Sequence, residues 1–251
     1  MSNVDFGIKI NLEGAQQATQ QTDALGRNFG ALESVAQRMG TVLGAVAGTA
    51  LTRGFVQLAD SVTVLRNQLA LSTGSIQQAE VAYGALFQIS QRSRTSFTEL
   101  GATFASISRA TGELGISQGR LLAVTEAIGN AIAISGGSAA GAQAALMQLS
   151  QGFASGTLRG EELNSVMEQT PRLARAIADG LGITIGQLRT MGQEGKLTAQ
   201  AVLGALESQA RVLSGEVANS VTTVAQAMVV LGNAATEMAA KVDELLQERA
   251  R

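Results

Sequence analysis

VANSVTTVAQAMVVLGNAATEMAAKVDELLQ, residues 217–247, sets Val217, Val221, Val224, Met228, Leu231, Ala235, Met238, Val242 and Leu245 at alternating intervals of four and three. A half-buried strand would repeat every second residue. A spacing that averages 3.5 instead lines up one side of an α-helix and makes a heptad seam. The same arithmetic returns in the first quarter of the chain. Ala18, Thr22, Leu25, Phe29, Leu32, Ala36, Met39, Leu43, Val46 and Ala50 keep the spacing, and Leu51, Phe55, Leu58, Val62, Leu65 and Leu69 resume it after a shift of one residue. Read as one helix, this arm would be about 85 Å long at 1.5 Å per residue, with a kink at the glycines between Gly48 and Gly54.

Between the two arms the sequence marks a series of shorter helices. Ser75 with Gln78, Ser96 with Glu99 and Thr184 with Gln187 each fit a capping box, and Thr170 before Pro171 fits an N-cap followed by a proline at the first helical position. Leu121, Val124, Ile128 and Ile132 form one apolar face. Ala142, Leu146, Leu149 and Phe153 form a second, and Ala199, Val202, Leu203, Leu206 and Leu213 a third. Such faces bury themselves against one another, so a helical bundle follows. From Ala127 to Leu158 no residue is charged, which suits either the bundle interior or a surface between subunits.

Before residue 13 the period changes. Val4, Phe6, Ile8, Ile10 and Leu12 alternate with polar residues, the pattern of a β-strand that must pair with another strand of its own chain or of a second one. The predicted fold is all-α with this one exception: a strand at 1–12, a long amphipathic helix at 13–72, a compact helical domain at 73–213 and a heptad helix at 214–251. The last seam is still running at Arg251 with no glycine cap, which points to continuation in a longer protein or, as the alternative, to a frayed helix end.

Composition supports a helical core and narrows the chemistry. Of the 251 residues 45% are hydrophobic but only 3% aromatic, and 29 are glycine. A core built from small side chains favours close helix packing. The net charge of -2, with both signs interleaved, gives no field that would draw the chain to nucleic acid, so specific nucleic-acid binding is not expected. The sequence contains no Cys and no His, which removes thiolate chemistry, the commonest metal ligand and the commonest general base near neutral pH. Neither a metal nor a cofactor is expected. Acidic Asp5 and the alternating start do not make a signal peptide.

Four sharper readings fail against the residues. Gly40, Gly44 and Gly48 resemble a transmembrane packing motif, but the uncharged run between Arg38 and Arg53 is shorter than the roughly 20 apolar residues a span needs and contains Thr41, Thr49 and Thr52. A buried or oligomeric helix contact fits this run better than a membrane span. Gly192 to Thr198 has the Gly-Lys of a phosphate loop without its first glycine, which would be Thr190, or its Ser/Thr, which is Leu197. Ala145 to Gln148 resembles part of the lytic transglycosylase pattern, yet the nearest upstream acid, Glu126, precedes Ala127 rather than serine. Glu161 and Glu162 stand at a predicted helix start, where the dipole favours negative charge without any metal.

The stretch Gly156-Thr157-Leu158-Arg159-Gly160-Glu161-Glu162-Leu163, followed by Pro171, Gly182-Ile183-Thr184 and Gly195-Lys196-Leu197-Thr198, resembles the amino-terminal domain of phage tail tape measure proteins, with the likeness extending over residues 50 to 215. It implies a tail component that sets tail length, templates the tube from inside its lumen and leaves during genome ejection. The partners it implies are the tail tube protein, tail assembly chaperones and the tail tip or baseplate hub, with assembly in the host cytoplasm and membrane contact only during ejection. It assigns no catalytic role to any of these residues. The heptad positions Leu25, Phe29, Leu32, Met39, Leu43, Leu58 and Leu65, with Val217, Val221, Met228, Leu231, Met238 and Leu245, are expected to be helix-packing seams through which copies of the chain associate.

Overall fold

A computed structural model describes residues 49–112 and 115–250, and the chain divides into two units, Met1–Gly54 and Phe55–Arg251. The N-terminal strand and the seam positions Leu25, Phe29, Leu32, Met39 and Leu43 lie outside the described residues, as does the Gly40, Gly44, Gly48 run. Among the described residues the fold is all-α, with ten helices: α1 (Thr49–Thr73), α2 (Ile76–Ser93), α3 (Phe97–Ala110), α4 (Gln118–Ser135), α5 (Ala139–Ala154), α6 (Gly160–Gln169), α7 (Pro171–Leu181), α8 (Ile185–Gln193), α9 (Ala199–Ala218) and α10 (Val224–Ala250).

Short polar side chains start these helices. Ser75 and Ser96 accept from the backbone N–H three residues on, and Thr184 and Gln187 form a reciprocal box. Four caps went unread in the sequence: Ser117, Ser138, Thr198 and Thr223 do the same work for α4, α5, α9 and α10. Thr170 is the N-cap residue of α7 with Pro171 at its first position, as expected, but it caps without its side chain. Its hydroxyl donates back to the Val166 carbonyl at 2.9 Å and makes no N-cap bond, so Pro171 opens α7 by its fixed φ alone.

The core forms around α4, whose face Leu121, Val124, Ile128 and Ile132 is buried. Helix α9 lies along α4 and α7 and buries Val202, Leu203, Leu206 and Leu213; α5 presses Leu146, Leu149 and Phe153 against α3 and α6. The uncharged segment is thus divided, since α4 is enclosed while Met147 on the far face of α5 is half exposed. Helix α1 belongs to the same core: Leu65 and Leu69 are buried, and Leu65 fills the space beside Gly101. Leu65, read as a seam position, therefore already has its partners within the chain. Edge-to-face contacts of Phe97 with Tyr83 and Phe87, at 5.1 and 5.4 Å between ring centres, close the end near α10.

At the carboxyl end the structure corrects the expected element. Residues 214–251 are not one helix: α9 runs to Ala218, and α10 begins at Val224 after a linker. Thr223 and Gln226 cap each other there, and Arg94 holds the linker by donating to the Ser220 carbonyl and hydroxyl. Val217 consequently sits buried on α9 and Val221 in the linker, so the helical part of the seam runs from Val224.

Candidate functional site

The residues that carry the family resemblance come together as a clasp between distant parts of the chain. Helix α5 ends at Ala154, and the chain reverses just beyond it at Gly156, whose φ of +81° is a left-handed conformation that side chains resist. The reversal lets the Gly156 carbonyl accept from the Ala199 N–H at 2.9 Å and the Leu158 N–H donate to the Leu197 carbonyl at 2.8 Å. Thr157 and Thr198 thereby pair as an isolated antiparallel bridge. The Gly192 to Thr198 segment that faintly matched a phosphate loop is one half of this bridge and the end of α8.

Side chains lock the clasp from both sides. Leu158 is buried against Gly152, where an added Cβ would come within 2.6 Å of it. Leu163, fully buried on α6, meets Gly192 on α8 in the same way, at 2.6 Å from the position a Cβ would take. Gly160 opens α6. The Glu162 carboxylate accepts from the Arg159 backbone N–H at 3.1 Å, so one of the two acids is a capping group, while Glu161 stays exposed in the same first turn. Pro171 begins α7, Gly182 caps its end and Gly195 turns the chain between α8 and the bridge. No ionisable side chain is buried within the clasp, and its chemistry is that of packing. Glu126, the acid weighed as a general acid, pairs with Arg92 at 2.9 Å on the flank of α4. Among the described residues no group of three or more His, Cys, Asp or Glu side chains could hold a metal ion, and no helix is long and apolar enough to cross a membrane.

Helix α10 is built on the opposite plan. It meets the bundle with its polar side. The Asn233 amide is buried in the elbow between α2 and α3, where its oxygen accepts from the Phe97 N–H at 2.9 Å and its nitrogen donates to the Thr95 carbonyl at 2.9 Å. A helix from the end of the domain thus satisfies one of the orphan donors at the start of α3. Gln226 donates to the Ala133 carbonyl at 2.8 Å, and Tyr83 donates its phenolic proton to Glu237. Burial, followed by that hydrogen bond and the nearby Glu237 charge, pushes the Tyr83 hydroxyl well above its ordinary range, so it stays a donor. Arg66 lies 4.8 Å over the Tyr83 ring and reaches toward Glu80 and Glu244.

The heptad positions of α10 face the other way. Val224 is 82% exposed, Met228 and Leu231 are each 62% exposed and Leu245 is 53% exposed, with Met238 half-buried between them. The sequence named this stripe as a seam but missed the polar contacts behind it. Their signal was the seven-residue spacing of Gln226, Asn233, Ala240 and Gln247 on the side opposite the seam.

Glycine-tight helix crossings, a backbone clasp and an outward apolar helix define a helical structural scaffold. A family model described as tape measure protein matches residues 53–244, a span that holds the whole clasp and most of α10. The chain belongs to the tape measure protein family, and its role is a structural one in the phage tail. No curated protein and no solved structure matches it.

Proposed function

We propose that this chain is the folded amino-terminal part of the protein that sets tail length, acting inside the lumen of the tail tube. Tube subunits polymerise around it in the host cytoplasm, with assembly chaperones covering it beforehand and the tail tip or baseplate hub anchoring it, and it leaves the tube as the genome is ejected. Several copies share the lumen. The observation that carries this reading is the family match across residues 53–244, a span that includes the clasp. The described domain contributes an anchor of fixed shape.

Phage lacking the coding sequence for this chain provide the test, with tails imaged by electron microscopy. The expected result is no tails, or tubes of scattered length, rescued when the chain is supplied in trans. Mass spectrometry should find the chain in filled tails and not in tails that have ejected. Tails of normal, uniform length without the chain would overturn the reading.

A further inference from the structure

We infer that α10 is a releasable strap. Freed from the elbow between α2 and α3, it swings about residues 219–223 and continues α9 as one helix from Ala199 to Ala250, about 78 Å long at 1.5 Å per residue. The bundle from α1 to α9 keeps its shape, and only the last helix moves. This second state goes beyond the tail-length reading and does not rest on it.

The apolar register runs straight through the bend. Leu206, Ala210, Leu213 and Val217 lie on the face that α9 turns to the bundle. Val221, Val224, Met228, Leu231 and Ala235 follow at the same steps of three or four. On one unbroken helix, at about 100° per residue, these positions all fall within about 40° of a single line. The bare stripe of α10 is therefore the continuation of the buried stripe of α9, turned away from it only because the chain folds back.

The backbone of the linker does not force that turn. Asn219-Ser220-Val221-Thr222-Thr223 contains neither glycine nor proline, and Gly215, the nearest glycine, lies inside α9. Elsewhere the described helices turn on Gly74, Gly115, Gly136, Gly156, Gly182 and Gly195, each at positive φ. Here no residue has a positive φ, and Asn219 leaves α9 at φ −91° and ψ −2°, still right-handed. Side chains impose the turn instead. Asn219 and Ser220 donate back to the Gly215 and Val217 carbonyls, Thr223 and Gln226 cap α10, and Arg94 holds Ser220 from the elbow. Straightening gives up these bonds and returns backbone ones, because the last carbonyls of α9 and the first N–H groups of α10 become partners in a helix already nucleated. The elbow lets go at small cost. The buried residues of α10 are Asn233, Thr236, Ala239 and Ala240, so release wets little apolar surface, and the Asn233 amide and its partners pass to water together instead of being stranded.

Electron–electron resonance between spin labels on Val81→Cys and Leu246→Cys reads the two states in the full chain, which has no cysteine of its own. Both positions are exposed. The Gln226→Ala/Asn233→Ala background removes docking side chains that belong to α10 and spares the bundle. In it a second population is expected with the labels more than about 20 Å further apart. Helical circular dichroism should not fall, and the amides of 219–223 should exchange more slowly than in the parent. Val221→Pro, added to that background, does not fit inside a helix, and it should broaden the long distance and remove the protection of the linker. A distance that stays short in the released variant would overturn the strap. So would a long distance with lost helical signal, linker amides that exchange as fast as in the parent, or indifference to Val221→Pro. None of these outcomes bears on tail length in phage that lack the chain.

Discussion

The α7–α9 crossing and the α10 docking surface both hold a helix against the same bundle, by opposite means. At the first, Gly180 brings α7 so close to α9 that a Cβ would lie 2.3 Å from the Ala205 carbonyl oxygen and 2.6 Å from its Cα. Around it Leu173, Ala176, Ile177 and Leu206 are fully buried. At the second, the buried groups are an amide, a hydroxyl and a few alanines, and the large apolar residues point outward. The difference shows that amphipathicity locates a face without saying which face turns inward. Burial of the apolar face drives the first helix home. The second is positioned by hydrogen bonds that contribute only modestly when made but are expensive to leave half made.

The strongest way to break that contrast is Gly180→Ala. Backbone atoms cannot move aside as a flexible side chain would, so the crossing must open, and a loss of about 3 kcal/mol or more is expected in urea denaturation. Gly204→Ala on the exposed side of α9 is the counterpart: an added methyl meets nothing within 4 Å, and the gain in helix propensity should stabilise by about 0.5–1 kcal/mol. If both variants behave alike, the close approach of α7 and α9 is not what holds this region.

Asn233→Ala sharpens the other half. It leaves the Phe97 N–H and the Thr95 carbonyl without partners in a buried elbow, which should cost about 2 kcal/mol. The loss should be local. Hydrogen exchange is expected to quicken along α10 and the first turn of α3, while amides of α4 and α9 keep their protection relative to global unfolding. Uniform acceleration through α4 would show that α10 is part of the cooperative core rather than a docked helix.

Much of this was legible in the sequence where the information is local. Ser75, Ser96 and Thr184 announce their helices because a cap bond spans three residues, and the faces of α4, α5 and α9 follow from periodicity alone. What was not legible depends on residues far apart. Asn233 meets Phe97 across 136 positions, and the Thr157–Thr198 bridge joins two motif segments whose order was visible but whose pairing was not. At Thr170 the N-cap position was legible but its bonding was not, because a threonine before proline can cap forward or bond backward, and the geometry of α6 decided for Val166. The break between α9 and α10 was hidden by a seam that keeps its spacing through Val217, Val221 and Val224 although the chain turns there.

Smaller effects test the clasp and the charged rim. Gly156→Ala places a side chain at a φ of +81° with open space around it, so the cost is one of backbone conformation, about 1–2 kcal/mol by thermal denaturation. A negligible change would mean that the turn relaxes and the clasp does not need it.

Weakest of all should be the Arg172–Glu216 pair on the α7–α9 flank, bidentate at 2.7 and 2.8 Å. The hydrogen bonds from Arg172 hold the Glu216 carboxyl below its ordinary range, against some opposing desolvation. A depressed carboxylate contributes stability that is fully present above the unfolded pKa, about 4.3 for Glu, and is lost as pH falls through the lower folded value. Arg172, raised by the same bonds, stays protonated throughout this window. Because the Glu216 side chain is 37% exposed, solvent screening keeps the contribution under about 1 kcal/mol. Melting temperatures of Glu216→Gln should therefore fall less than those of the parent between pH 5 and pH 3, and the two should converge at the acid end. A parent profile as flat as the variant's would place the hold of α7 on α9 wholly in the glycine crossing.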